Sequence, residues 1–315
     1  MKKIYILIFI VIYLSIIFLL YAPNIALLKT QTDDGWVLPV FCKEHDCSQT
    51  LRTLLSNATA YCAFYDLKEP LLIQTLSQEK NVQTILYKDN IHDEVLFTHP
   101  VTSRGLMHHK FCAINSTYIF TGTWNPTHRG TYLNDNYMIL VSSKKLTQWY
   151  EDVWAHVYNR NKKIPPPLKL DLLGTTILAL SCPQHSCEKN VIQTLAQAQE
   201  FVHVLAFSFT SKPVADQLIY LHNNNVSIEV LYERTRISTH STNKLLESAG
   251  ITVHYDNNPY TMHEKLFIID NQTIIVGSYN PSQNANTRND ENILIISNTT
   301  IAQAFDKEFY RIKNY

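Results

Sequence analysis

Two copies of one short pattern carry the residue types that phosphate chemistry requires. The first copy holds His108, Lys110 and Asn115, then Gly122, Thr123 and Asn125. The second holds His263, Lys265 and Asp270, then Gly277, Ser278 and Asn280, at identical spacing. Apolar residues fill the gaps in both, Phe111, Ile114, Ile119 and Phe120 against Leu266, Ile269, Ile274 and Ile275. A His and a Lys two apart on a strand face the same side. Each copy therefore offers an imidazole, an ammonium and, after a turn, a carboxamide. Phosphodiester cleavage needs a nucleophile, a proton donor for the leaving oxygen, and fixed donors on the non-bridging oxygens. Two copies at one place supply all of these. One imidazole attacks and the other protonates, while Lys110, Lys265, Asn125 and Asn280 hold the phosphate. Thr123 and Ser278 would add hydroxyl donors to the substrate. The scheme uses no metal and no cofactor. His109 and Glu264 fall on the opposite strand face and are expected to stand outside the chemistry.

A lone histidine on a strand is ordinarily a packing residue. Two His-x-Lys units with matched downstream Gly and Asn do not fit that account. The pattern H-x-K-x4-D-x6-G-S-x-N resembles the phospholipase D superfamily. The stretch from Ala249 through His263-Glu264-Lys265 to Asp290-Glu291-Asn292 is most similar to the small members, a bacterial endonuclease and a mitochondrial cardiolipin hydrolase. The resemblance covers roughly residues 36 to 315. It implies two tandem repeats packed about a pseudo-two-fold axis and a phosphohistidine intermediate later hydrolysed by water. The repeats are unequal. The family's aspartate is Asp270 in repeat B but Asn115 in repeat A, its serine is Ser278 but Thr123, and a later glutamate, Glu291, is matched by Asn136. On this resemblance Asp270 and Glu291 join the catalytic set. They are expected to support repeat B's own imidazole, which makes His263 the nucleophile and His108 the acid. The resemblance implies hydrolysis of phospholipid phosphodiester bonds. The alternatives are a membrane-anchored nuclease for single-stranded DNA or RNA, and a phosphate-binding module without turnover. Both half-sites lie in one chain, so a monomer is expected to suffice.

Bulk properties set limits on partners. The chain has 315 residues, 27 basic and 27 acidic, with 45% apolar and 17% charged residues. No basic run marks a long polyanion-binding face. Residues 4–22 contain neither charge nor glycine and follow Lys2 and Lys3. At roughly 1.5 Å per residue such a helix nearly crosses a bilayer core. The expectation is a single-pass signal anchor within residues 1–28, with the N-terminus cytoplasmic and the body extracytoplasmic. A cleaved signal peptide and a secreted body are the alternative.

The elements that must position these residues follow from periodicity. Repeat A is expected over residues 36–158, a Pro-rich linker over 159–171, and repeat B over 172–315. Strands are predicted at Val37–Phe41, Tyr61–Tyr65 and Val82–Tyr87, and at Ile177–Leu180, Phe201–Phe209, Val226–Tyr232 and Ile251–Tyr255. Helices are predicted at Gln49–Ser56, Pro70–Gln78, Lys189–Gln199 and Pro213–Asn223, and each repeat ends in an amphipathic helix around Trp149–Trp154 or Ala304–Phe309. Extra residues of repeat B are expected around Glu233–Glu247. Alternating strands and helices give an α/β fold with mixed sheets.

Both repeats also carry C-x2-H-x-C, as Cys42, His45, Cys47 and Cys182, His185, Cys187. Local disulfides Cys42–Cys47 and Cys182–Cys187 suit an exported body. Zinc held by Cys42, His45, Cys47 and Cys62 is the alternative. Cys112 is expected to be buried packing.

Overall fold

The computed structural model describes residues 28–315. The apolar run at 4–22, with its expected anchor, lies outside the described residues. Among the described residues, no helix is long and apolar enough to cross a membrane.

A two-residue strand, β1 (Gln31–Thr32), precedes the first repeat. That repeat runs β2 (Trp36–Phe41), α1 (Cys47–Leu55), β3 (Ala60–Phe64), α2 (Pro70–Gln78), β4 (Val82–Tyr87), β5 (His99–Val101), β6 (Lys110–Ile114), β7 (Tyr118–Gly122), α3 (His128–Tyr132), β8 (Tyr137–Ser142) and α4 (Lys144–Tyr158). After β9 (Leu168–Leu172) the second repeat runs β10 (Thr175–Cys182), α5 (Cys187–Leu195), β11 (Phe201–Ala206), α6 (Lys212–Asn223), β12 (Ser227–Tyr232), α7 (Asn243–Ser248), β13 (Thr252–Tyr255), β14 (Lys265–Ile269), β15 (Thr273–Gly277), α8 (Gln283–Thr287), β16 (Glu291–Ser297) and α9 (Thr299–Lys313).

The first repeat forms a seven-stranded sheet in the order β2-β8-β7-β6-β3-β4-β5. The second repeats that order strand for strand as β10-β16-β15-β14-β11-β12-β13, and β9 and β1 extend its β10 edge to nine strands. The segment expected as a linker over 159–171 therefore ends in a strand. The reason is a period-two pattern, with Leu168, Leu170 and Leu172 buried and Lys169 and Asp171 less so. Leu170 pairs with Ile177 on one side and with Gln31 on the other. The 3-10 turn Arg234–Arg236 after β12 has a counterpart at Lys88–Asn90 after β4, and the extra residues of the second repeat that follow it include α7.

Helices begin where side chains satisfy their first N–H groups. Glu69 caps α2 by accepting from Leu71 and Leu72, with Pro70 at the first helical position. Ser143 caps α4 and Asn298 caps α9. These last two helices lie between the sheets. Their apolar faces share one core with Phe111, Tyr137 and Ile139 of the first sheet and Ile268, Val276 and Leu294 of the second. Phe305 of α9 meets Phe41 edge-on at 5.2 Å and Tyr137 at 5.0 Å. Burying a ring of this size stabilises by about 1.5–3 kcal/mol. Separate cores beneath α1 and α2, and beneath α5, α6 and α7, cover the outer faces. The fold is thus helix, sheet, helix pair, sheet, helix.

All six cysteines are paired, as Cys42–Cys47, Cys62–Cys112 and Cys182–Cys187. The two local bridges match the C-x2-H-x-C reading. The third corrects it, because Cys62 and Cys112 are direct cross-strand partners on β3 and β6. With Cys42, Cys47 and Cys62 all in disulfides, no thiolate remains for the zinc alternative. His45 sits in the turn between the Cys42–Cys47 pair, its N–H donating to the Phe41 carbonyl.

Candidate active site

Each His-x-Lys unit stands where a central strand begins. Lys110 opens β6 and Lys265 opens β14, so each histidine lies just before its strand, on a segment that reaches the other repeat. The His108 N–H donates to the Asp290 carbonyl at 2.9 Å, and the His263 N–H donates to the Asp135 carbonyl at 2.9 Å. Bridges Met107–Asp290 and Asp135–Met262 flank these bonds. The contacts are reciprocal, as a two-fold-related interface requires. Each ammonium is pinned beside its own imidazole. Lys110 Nζ donates to the His108 carbonyl at 2.7 Å, and Lys265 Nζ to that of His263 at 2.8 Å. The structure thereby brings together His108, Lys110, His263 and Lys265.

The imidazoles are oriented across the seam, which corrects the expectation that Glu291 supports His263. His108 Nδ1 bonds Glu291 Oε2 at 2.7 Å, while His263 Nδ1 bonds Asn136 Oδ1 at 2.9 Å. Because β16 and β8 each begin beside the crossing segment of the other repeat, each side chain meets the opposite imidazole. Ser278 Oγ also donates to Glu291 Oε2 at 2.7 Å, and Thr123 Oγ1 to Asn136 Oδ1 at 3.1 Å. Both hydroxyls are fully buried. They position the acceptors behind the imidazoles, where substrate donors had been expected. An acceptor on Nδ1 directs its proton there and leaves Nε2 with the free lone pair. One imidazole thus has a carboxylate behind it and the other only a neutral amide.

Burial dominates the electrostatics. It pulls the His108 imidazole down to about 4, although the Glu291 charge opposes it. Burial, then the charges of Lys265, Lys110 and His108, hold His263 well below the ordinary histidine range. Burial also brings the Lys110 ammonium down to about 7 and, with Lys110 as neighbour, drives Lys265 well below its usual value. For Glu291 burial raises the carboxyl, but the His108 charge and hydrogen bond, Lys110 and Ser278 outweigh it and leave it low. Four basic groups therefore crowd one carboxylate, an arrangement that an added anion relieves.

Asn125 and Asn280 follow β7 and β15, and each keeps a buried Oδ1 with no protein partner. The next residue fixes each loop. The Pro126 carbonyl accepts from Lys68 and Glu69, and the Pro281 carbonyl from Thr210 and Ser211. Gly122 and Gly277 permit the turn before them. A Cβ there would lie 2.3 Å from the Tyr137 carbonyl or 2.2 Å from that of Asn292, and Gly277 has φ +139. Asp270 is not in the site. It stands at the far end of β14, roughly 15 Å from Lys265 at strand rise. There, at φ +53, it accepts from the N–H groups of Gln199, Glu200 and Phe201 at 2.8, 2.9 and 2.8 Å. Asn115 accepts from Thr59 N–H at 2.9 Å at the matching turn. His109 and Glu264 face away from the site. His109 Nδ1 bonds Asn292 Oδ1 at 3.1 Å, and burial beside Glu308 and Asp135 holds the Glu264 carboxyl well above its usual range.

Sequence reasoning missed the walls of the cleft. Tyr65 meets His108 edge-on at 5.1 Å and lies under Lys110 at 5.2 Å. Phe207 does the same for His263 at 4.5 Å and Lys265 at 4.4 Å, with the Arg236 guanidinium over its ring at 4.8 Å. Both aromatics directly follow the strands β3 and β11. That shared position in the repeat was the available signal.

Comparison with known proteins agrees with this architecture. A sequence profile described as "Cardiolipin synthase, PLD-like domain" matches residues 48–158 and 191–313. The mitochondrial cardiolipin hydrolase of Xenopus laevis is 32% identical over 136 residues, which is 42% of this chain and 65% of that protein. A phospholipase D of Rickettsia prowazekii (strain Madrid E) is 28% identical over 145 residues, 45% of this chain and 70% of that protein. The match to the Xenopus protein thus covers just under two thirds of its length. The phosphatidylserine synthase of Haemophilus influenzae Rd KW20 superposes with a TM-score of 0.66 over 89% of this chain and 86% of its own, at 11% identity, a likeness of fold.

Proposed function

The chain belongs to the phospholipase D-like family, and on that premise we propose that it is a phosphodiesterase that works through a phosphohistidine. The observation that carries this reading is the crossed pairing of His108 with Glu291 and of His263 with Asn136, beside two pinned lysines. The carboxylate behind His108 supports roles opposite to the sequence expectation. His108 is the nucleophile, because Glu291 stabilises the positive charge its ring gains on attack. His263 is the acid for the leaving oxygen. In the free protein its proton is held off by burial and by three neighbouring basic groups. The negative charge of a bound phosphodiester reverses that repulsion and lets His263 carry a proton.

In the first step His108 Nε2 bonds to phosphorus as the P–O bond to the leaving alcohol breaks, and His263 Nε2 gives its proton to that oxygen. In the second step His263 takes a proton from water, the water oxygen bonds to phosphorus, and the P–N bond to His108 breaks. Lys110, Lys265, Asn125 and Asn280 hold the non-bridging oxygens in both steps.

The substrate we favour is a phospholipid. The supports are the names of the relatives and a chain without net charge or a long basic face. The apolar run at 4–22 would tether the body at a membrane, and three disulfides fit an extracytoplasmic site. One chain supplies both half-sites, so the monomer is the proposed active unit. The test incubates the full-length protein, with chelator, with cardiolipin-containing vesicles and separately with labelled single-stranded DNA and RNA. Lipid hydrolysis that His108→Ala and His263→Ala each abolish is the expected result. Nucleic-acid cleavage abolished by the same variants would replace lipid with a nuclease function. Turnover near wild type in both variants would refute the shared site.

A further inference from the structure

The two repeats align without a gap along each crossing segment, and the surroundings of one matched pair of carboxylates differ in a way the hydrolysis scheme does not use. Beside His263, the buried Asp135 is surrounded by the chain's own cations and amides. Arg311 bonds it at 2.6 Å, Lys43 lies at 3.3 Å, the Asn258 carboxamide donates to it, and the Tyr315 hydroxyl stands at 3.4 Å. Beside His108, the equivalent carboxylate is Asp290. At the positions of Lys43, Arg311, Asn258 and Tyr315 stand Pro183, His156, Ser103 and Arg160. Arg160 alone covers Asp290, through bonds of 3.1 and 2.6 Å. The smaller neighbours leave a cavity of about 570 Å³, in the size range of small-ligand sites.

The cations missing from the floor of this cavity reappear at its rim. Arg104 and Arg288 line it and occupy the places of Pro259 and Leu133 on the filled side. Asp290 is neutralised by Arg160, so these two guanidiniums give the cavity a net positive charge. One Arg288 nitrogen donates to the Arg104 carbonyl at 3.1 Å, which holds its fork at the rim. Neither guanidinium has a carboxylate partner among the described residues. Two planar forks around an otherwise neutral cavity are the chemistry that binds phosphate oxygens.

The rim is wired to the catalytic pair. Gly105 N–H donates to the Arg288 carbonyl at 3.0 Å, Asp290 N–H to that of Leu106 at 2.8 Å, and His108 N–H to that of Asp290 at 2.9 Å. This ladder ends in the His108–Glu291 pair. Arg288 stands three residues from Glu291, so at extended-strand rise their Cα atoms are at most about 10 Å apart. A substrate held at His108 that carries a second phosphate can reach the rim.

We propose that this cavity is a second anion site, in which Arg104 and Arg288 bind a phosphate group distinct from the one that reacts. The binding claim stands alone, and only its link to substrate rests on the phosphodiesterase reading. Calorimetric titration of the full-length protein with inorganic phosphate is expected to show two sites per chain. Lys110→Ala/Lys265→Ala should retain one of them, and Arg104→Gln/Arg288→Gln the other. Unchanged stoichiometry and affinity in Arg104→Gln/Arg288→Gln would overturn the proposal. A second arm compares thymidine 5′-(p-nitrophenyl phosphate) with the same compound bearing a 3′-phosphate. If the second phosphate is substrate-borne, wild type prefers the 3′-phosphorylated compound about tenfold or more in kcat/KM. Arg104→Gln/Arg288→Gln then loses that preference and keeps its rate on the other compound. Loss of the site without any such preference assigns it to free phosphate. If neither compound is cleaved, the phosphodiesterase reading rests on the vesicle assay, and the titration alone decides the cavity.

Discussion

Glu291→Gln keeps the size of the side chain and removes its charge, so it isolates what the carboxylate does for His108. The bond is short, 2.7 Å, and Glu291 is fully buried. During attack the His108 ring becomes cationic. A unit charge pair about 4 Å apart is worth about 4 kcal/mol at an effective dielectric of 20. A neutral amide recovers part of that through its dipole, which leaves a loss of about 3 kcal/mol in the transition state. At 1.36 kcal/mol per decade, the rate should fall about 10²-fold to 10³-fold. The pH profile should shift as well. Glu291 raises the His108 pKa against burial, so removing it lowers a value already near 4. The acid limb of kcat/KM, set by neutral His108 in the free enzyme, therefore moves to lower pH in the variant. The assay is release of p-nitrophenol from bis(p-nitrophenyl) phosphate across pH, with the phosphoenzyme trapped by an alkaline denaturing quench, since a phosphohistidine is labile in acid. Asn136→Ala, which removes the acceptor behind His263, should slow leaving-group departure less with this activated substrate. If Glu291→Gln keeps more than a tenth of the activity while Asn136→Ala loses about 10²-fold, the assignment of nucleophile and acid is inverted.

Three further outcomes follow from the same geometry. Binding of sulfate, which does not titrate near neutrality, should draw about one proton or more onto the protein at pH 8, because Lys110 at about 7 and Lys265, held well below its usual value, are then largely neutral and an adjacent anion restores their charge. Titration in buffers of different ionisation enthalpy reads this, and zero uptake would contradict the crowded-cation description. Asp270→Ala should cost about 2–3 kcal/mol of stability, because three backbone N–H donors lose their carboxylate acceptor, seen in chemical denaturation, with kcat near wild type at temperatures where the variant is folded. A large kcat loss in the folded variant would return Asp270 to the catalytic set. Finally, His108 is buried with a folded-state pKa below the ordinary value near 6.5, so the unfolded chain binds the extra proton. Its contribution to stability is present above about 6.5 and is lost as pH falls towards 4, by about 3 kcal/mol for this group. The Tm of wild type should drop more steeply over that window than that of His108→Asn.

Much of this was legible because the chain carries its pattern twice. The strands that hold the lysines, the glycine turns and the closing helices each had a counterpart at fixed spacing, and periodicity placed most elements within a few residues. β9 escaped because three prolines precede it, although Leu168, Leu170 and Leu172 alternate as a buried strand does. The recurrent asparagines of the chain have a backbone explanation. Asn57, Asn115, Asn225 and Asn271 all occupy the left-handed region, which Asn tolerates, and Asn298 caps α9. The partner of each imidazole was not legible. Spacing within a repeat suggested that Glu291 would serve His263, its neighbour in the pattern. Which side chain crosses to the opposite imidazole is set by two bridges, Met107–Asp290 and Asp135–Met262, that join segments far apart in sequence. Asp270 misled for the opposite reason. A carboxylate at fixed spacing from a catalytic lysine marks a turn that must be locked as readily as a proton relay.

Fusion of the repeats explains why their differences can be functional. In an assembly of two identical copies, every substitution appears on both sides of the cleft. A carboxylate behind one imidazole would then sit behind the other, and a cavity opened beside one histidine would open beside both. In one chain the positions vary separately. Glu291 and Asn136 place unequal charge behind His108 and His263, which the two-step scheme needs because only one ring carries phosphorus. The same side of the seam is the one left open, with Arg160 over Asp290, while Lys43, Arg311 and Tyr315 close the other over Asp135. The carboxylate and the open cavity thus both fall on His108. Asymmetry at the reacting atoms and asymmetry at the rim therefore point one substrate in one direction through a nearly symmetric frame.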